Sequence, residues 1–142
     1  MSDFELHPRL NADCFAAGDW PLCRLLMMND SQYAWFILVP RRDGLREIHE
    51  LSDADQLQFL RESVMLGRAL MKAFKGEKLN VAALGNLVPQ LHVHHIVRYS
   101  SDAAWPGPVW GKLPAQPYNQ DAALARLDEL LPQLPLALQP VA

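Results

Sequence analysis

The chain has 142 residues, half of them hydrophobic and a fifth charged, with a net charge of −3. That length fits one domain around one core, residues 1–142, and that composition excludes a disordered chain. The densest basic group, Arg41, Arg42 and Arg46, is diluted by Asp43, Glu47 and Glu50, which excludes a broad electrostatic grip on nucleic acid but not one small anionic ligand.

The N-terminus, MSDFELHPRL, lacks the apolar run of a signal peptide. The two cysteines, Cys14 and Cys23, form no CxxC and no disulfide framework. They read as small core residues in a reduced, cytoplasmic setting. Residues 1–20 read as irregular. CRLLMM (23–28) predicts a strand, and NDSQ (29–32) is turn chemistry. AWFILVP (34–40) is rich in aromatic and β-branched residues and predicts a second strand, so the pair suggests a hairpin. It is also the longest unbroken apolar run, far short of a membrane span. Residues 41–44 form a surface turn, and LREIHEL (45–51) alternates as a short strand would, with His49 at its surface.

Ser52, with Asp55 three residues on, predicts a capped helix start. Leu57, Leu60, Val64, Gly67, Met71 and Phe74 then recur at spacings of three and four. They form an apolar stripe expected to pack against the core. Gly76 is the expected C-terminal stop. LNVAAL (79–84) predicts a third strand, Gly85-Asn86 a turn, and LHVHHIV (91–97) another strand. Seven of the eleven prolines lie beyond position 105, so the last third is expected to be extended loop. One short helix fits residues 120–131, capped by Asn119 and ended by Pro132. The sum is an α+β chain: an antiparallel sheet with one long helix packed on it.

QLHVHHIVR (90–98) concentrates three of the five histidines. On a strand, side chains alternate between faces. Gln90, His92, His94, Ile96 and Arg98 therefore share one face, and Leu91, Val93, His95 and Val97 the other. His95 points into an apolar row and reads as a core or interface residue that needs a hydrogen-bond partner. For His92 and His94 three chemistries stay open on spacing alone. They can hold a metal, if a third ligand converges by folding. They can act on a phosphate, one imidazole attacking phosphorus while its neighbour donates to the charged oxygens. Or both can be structural.

The stretch around this strand resembles the histidine-triad (HIT) family of nucleotide hydrolases and transferases. That family's signature is His-φ-His-φ-His-φ-φ, often followed after one more residue by Arg. Counted back from Arg98, its three histidine positions are Gln90, His92 and His94. Gly85-Asn86 matches the turn before the signature, and the helix over 52–74 stands where the family has its one long helix. The pair CRLLMMN and AWFILVP resembles its nucleotide-pocket strands. DAAWPGPVWG (102–111) looks like a bacterial branch in which several members carry Gln at the first signature position. The likeness spans roughly residues 20–111; a proline-rich segment, 104–142, closes the chain.

The resemblance implies a HIT-like fold of about five antiparallel strands, one long helix and a short C-terminal helix. It implies a phosphohydrolase or nucleotidyl transferase acting on a purine nucleotide or nucleotide conjugate, such as a diadenosine polyphosphate or a phosphoramidate. His92 would be the nucleophile, forming a nucleotidyl-histidine, and His94 would hold the phosphate oxygens. Gly85 and Asn86 would lie near the phosphate or leaving group, and Asn29 or Asp30 at the ribose hydroxyls. Leu25 and Met27 would line either a base pocket or the core. No cofactor, resident metal, nucleic acid or membrane is implied; the partner is a second copy, in a homodimer formed through helix and sheet.

Three positions depart from the family pattern. Gln90 can donate a hydrogen bond but cannot exchange a proton near pH 7. Leu87 stands near where many members have Ser or Thr. His95 stands at a position normally hydrophobic. Gln90 and Leu87 keep open a non-catalytic nucleotide-binding or interaction module, beside the His-based metal-binding protein. The segment from Trp105 to Trp110 is either a tail packing its tryptophans on the sheet or a lid or dimer contribution beside the nucleotide.

Overall fold

The computed structural model describes residues 4–141. Five strands form one antiparallel sheet: β1 (Cys14–Asp19), β2 (Cys23–Met28), β3 (Trp35–Pro40), β4 (Lys78–Ala82) and β5 (Val93–Arg98). Their spatial order is β1-β2-β3-β5-β4. The helices are α1 (Pro8–Asp13), α2 (Asp53–Phe74) and α3 (Gln120–Leu130). The expected hairpin is β2 and β3, with Cys23 opposite Pro40 and Met27 opposite Phe36.

The sheet is covered on both faces. Leu25, Phe36, Leu38, Val93 and Val97 pack with Leu66 and Leu70 of α2. Leu26, Ile37, Val39 and Ile96 pack with Leu10 from α1, Val88 and Val109. This double burial explains why β2 and β3 are largely apolar runs rather than alternating ones.

Ser52 caps α2, its side chain accepting from the Asp55 N–H at 3.1 Å. The face that α2 buries keeps Gly67, Met71 and Phe74 of the expected stripe but not its first half. Leu57, Leu60 and Val64 are 64%, 59% and 41% exposed, while Phe59, Glu62, Leu66, Ala69 and Leu70 are buried. The helix carries two apolar faces, and the buried one contains a glutamate, which disguises it in the sequence. Glu62 is tolerated because its carboxylate accepts the N–H groups of Leu22 at 2.9 Å and Cys23 at 2.8 Å and the Gln58 amide at 2.7 Å. A buried carboxylate with its lone pairs so occupied ties α2 to the start of β2.

Four further expectations change. Residues 8–19 are not irregular, residues 1–3 lying outside the described ones: Pro8 starts α1, as its fixed φ favours, and 14–19 pair with β2 as an edge strand. Residues 48–50 form a 3₁₀ turn rather than part of a strand, because Glu50 folds back to accept the N–H groups of Arg46 and Glu47. The left-handed residue ending α2 is Lys75, φ 51°, not Gly76. Gly76 is confined by packing instead, since a Cβ there would lie 2.5 Å from the Val97 side chain. Finally, β5 begins at Val93, so Gln90 and His92 precede the strand.

Candidate active site

A cleft of about 360 Å³ opens on the sheet face away from α2. It falls within the size range of small-molecule sites. His92 and His94 line its floor, residues 84–88 form one wall, and Arg9, Leu10, Asp13 and Met28 line the opposite side with Trp110. Register places His94 opposite Ile37 and His95 opposite Phe36, so the two neighbours point to opposite faces as alternation requires.

His92 and His94 are 6% and 4% exposed, their ring centroids 5.0 Å apart. His92 Nδ1 lies 2.7 Å from the Gln90 carbonyl oxygen. A carbonyl only accepts, so Nδ1 carries the proton and Nε2 keeps its lone pair. His94 Nδ1 accepts from the Trp35 indole N–H at 2.9 Å. Trp110 packs edge-on against His94 at 5.1 Å and against Trp35 at 5.9 Å. Burial in this aromatic surround, reinforced by His92 and His95, lowers the His94 pKa to about 3. His94 is thus a neutral imidazole at physiological pH.

Gly85 and Asn86 come to the same cleft as the two histidines. Gly85 has φ +76°, and a Cβ there would lie 3.3 Å from the Val88 carbonyl, so the wall turns tightly. Leu87 is 87% exposed at the rim and brings no hydroxyl to it. Arg9 supplies a cation to the lining, paired with Asp13 at 2.9 Å.

Gln90, Asn29 and Asp30 lie outside this lining. The Gln90 carboxamide accepts from the His7 N–H and donates to the Glu5 carbonyl, both at 2.9 Å, and so holds the segment that leads into α1. Asn29 Oδ1 accepts from the Tyr118 N–H at 2.9 Å. Asp30 accepts from Gln32 and from the Gln116 N–H. Both therefore anchor the C-terminal segment. Leu25 and Met27 belong to the core against α2.

Trp35, Met28, Leu10 and Arg9 join the site without having been marked as site residues by the sequence, and Trp110, from the segment expected either on the sheet or beside the nucleotide, lines it too. Trp35 had one available signal: it stands two positions from Ile37, the cross-strand partner of His94. That diagonal is within reach of a long aromatic side chain. Trp110 arrives through Arg98, which is 1% exposed. Its guanidinium grips Asp102 through two bonds of 2.8 and 3.0 Å and also bonds Asn80 and the Gly107 carbonyl. Burial pushes the Asp102 carboxyl up, but hydrogen bonds from Arg98, Tyr99 and Trp105 outweigh it and hold the group at about 2. Trp105 lies over the Arg98 guanidinium and is 39% exposed.

His95 is fully buried, bonded to Ser63 Oγ at 2.7 Å and to the Val93 carbonyl at 3.1 Å. Burial pushes both cysteine thiols up, Cys14 to about 12; neither is paired. Among the described residues, no group of three or more His, Cys, Asp or Glu converges as a metal site. No helix among them is long and apolar enough to cross a membrane.

A five-stranded antiparallel sheet with two buried, hydrogen-bonded histidines at a cleft of about 360 Å³ defines an α+β protein with a small-molecule site. The HIT domain matches residues 9–101, and the chain belongs to that family. The family includes nucleotide hydrolases and transferases. A histidine triad protein from Marinobacter aquaeolei is 53% identical, with 92% of this chain and 96% of that one covered and a TM-score of 0.90. One from Bradyrhizobium japonicum is 43% identical over 92% and 98%, TM-score 0.90. One from Sinorhizobium meliloti is 40% identical over 94% and 99%, TM-score 0.92. No functionally curated protein matches the chain.

Proposed function

We propose that the chain is a phosphohydrolase or nucleotidyl transferase that cleaves nucleotide conjugates, such as diadenosine polyphosphates or phosphoramidates, through a nucleotidyl-histidine on His92. One observation carries this reading. The Gln90 carbonyl fixes the His92 proton on Nδ1 and leaves the Nε2 lone pair free beside a second, neutral imidazole. His92 Nε2 attacks the α-phosphorus; the N–P bond forms as the bond to the leaving group breaks, and the leaving group takes a proton from solvent. His94 donates to a phosphate oxygen as charge builds. Water, or another acceptor, then attacks phosphorus, breaks the N–P bond and returns the lone pair to His92.

Gln90 stands at the first signature position, as in a QxHxH branch of the family, and acts there through its backbone carbonyl and by holding residues 5–7. The apolar side of the cleft, with Leu10 and Met28, faces the nucleoside, and Gly85 and Asn86 face the phosphate or leaving group. Residues 1–142 work as one domain in the cytoplasm, a setting that the two unpaired cysteines fit. A second copy covers the exposed ridge of Leu57, Leu60 and Val64 with Val81 beside it on the edge strand β4, giving a homodimer.

Mass spectrometry of the protein incubated with a reactive adenylate tests the central step. An adenylyl adduct is expected on the peptide carrying residues 90–98, and none in His92→Ala. Full turnover by His92→Ala refutes the nucleophile assignment. The non-catalytic alternative draws on Leu87, which leaves the rim without a hydroxyl. It is supported instead if calorimetry shows tight mononucleotide binding and a panel of conjugates shows no turnover.

A further inference from the structure

Trp35 is a buried tryptophan whose one polar atom is spent on a histidine of the cleft. Its side chain is 7% exposed, and its indole N–H reaches His94 Nδ1 at 2.9 Å. An indole nitrogen can only donate. Nδ1 of His94 must therefore be bare, because a proton there would set two donors against each other at a buried contact. A neutral imidazole with a bare Nδ1 carries its proton on Nε2. His92 is held in the opposite sense, with its proton on Nδ1 facing the Gln90 carbonyl.

We propose that Trp35 is a positioning residue that locks His94 as the Nε2–H tautomer, so that the cleft presents one nitrogen lone pair, from His92, beside one fixed N–H donor, from His94. The inference rests on the reading of the cleft as a phosphate-transfer site. It adds what keeps the two imidazoles from exchanging roles. Without the lock, His94 can turn its lone pair towards the phosphate, where it repels the oxygens it should hold. The orientation of a catalytic imidazole by a third group follows the same logic elsewhere. The ring walls support the lock: Trp110 closes on both Trp35 and His94 edge-on, so neither ring can swing away without unpacking the other.

Nitrogen-15 NMR of histidine-labelled protein tests this in the resting state, before any substrate is added. His94 is expected to show an unprotonated Nδ1 and a protonated Nε2 at pH 7. In Trp35→Phe, which keeps the ring and deletes the donor, both nitrogens should move towards averaged shifts. Turnover should fall in kcat with little change in KM, by less than the ~10²–10³-fold that removing a preorganised donor outright costs. Trp35→His, which offers a ring N–H again, should recover part of the rate. A wild-type His94 protonated on Nδ1 overturns the lock, and needs no variant to fold. So does a Trp35→Phe protein with the same single tautomer and the same kcat. The adenylyl-adduct measurement stands apart: an absent adduct with a locked His94 refutes the transfer chemistry and leaves the tautomer assignment intact.

Discussion

Acidification should unfold this protein through His95 in a window set by its burial. The ring is fully buried, with Nδ1 donating to the Val93 carbonyl and Nε2 taking the Ser63 hydroxyl. Burial lowers its pKa from 6.5 to about 4. Between those values the unfolded chain binds a proton that the native state refuses. His95 therefore contributes its full stability above pH 6.5, loses it as pH falls, and adds no further slope below about pH 4. At 1.36 kcal/mol per pKa unit, the gap amounts to ~3 kcal/mol. Denaturant midpoints for the wild type and His95→Leu, taken between pH 7 and pH 4, measure it. Leucine removes the ring's bonds to the Val93 carbonyl and the Ser63 hydroxyl, which shifts the variant equally at every pH. The quantity to read is thus the difference in slope. The carboxylates contribute the same slope to both proteins, and His94, for which His95 is the last of three causes of its lowered pKa, changes only slightly between them. Parallel curves for the two would refute the buried, neutral His95.

The other expectations concern the site, the core and the surface. His94→Ala should slow turnover by about 10²–10³-fold, as removal of one preorganised donor does, with binding of a mononucleotide kept within a few-fold by calorimetry. Gln90→Ala removes two bonds to the backbone of residues 5 and 7, each worth about 0.5–1.5 kcal/mol. Amide exchange in residues 5–13 should quicken and KM rise, because Arg9, Leu10 and Asp13 line the cleft; unchanged exchange would refute the anchor. Leu66→Ala, at a fully buried position, should cost about 2–5 kcal/mol in a urea titration. Val64→Glu should shift sedimentation towards a monomer with the cleft intact, and an unchanged assembly would refute a dimer through this face.

Much of the framework was legible because it is written in short-range patterns. The runs 23–28 and 34–40 and the intervening turn residues specify a hairpin locally. Ser52 and Asp55 mark the start of α2, and Asn119 the start of α3, because a cap acts within one helical turn. The split of His94 from His95 follows from the period of a strand, and it placed one histidine at the cleft and the other in the core.

What the tertiary structure decided depends on partners far apart in the chain. The phase of α2 turned on Glu62, whose acceptors are filled by backbone 39 and 40 residues away, so an apolar face interrupted by a glutamate becomes the buried one. Gln90 reads as a ligand-facing amide until the backbone of residues 5–7, across 83 and 85 positions, takes both ends of it. Asn29 and Asp30 read as ribose acceptors, and only the tertiary structure shows that Oδ1 of each accepts from the distant N–H of residue 118 or 116. The sequence by itself determined which residue types could do phosphate chemistry, and on which face. Only folding determined which of them remain free to do it, because a hydrogen-bonding group spent on distant backbone is indistinguishable, in the sequence, from one held ready for a ligand.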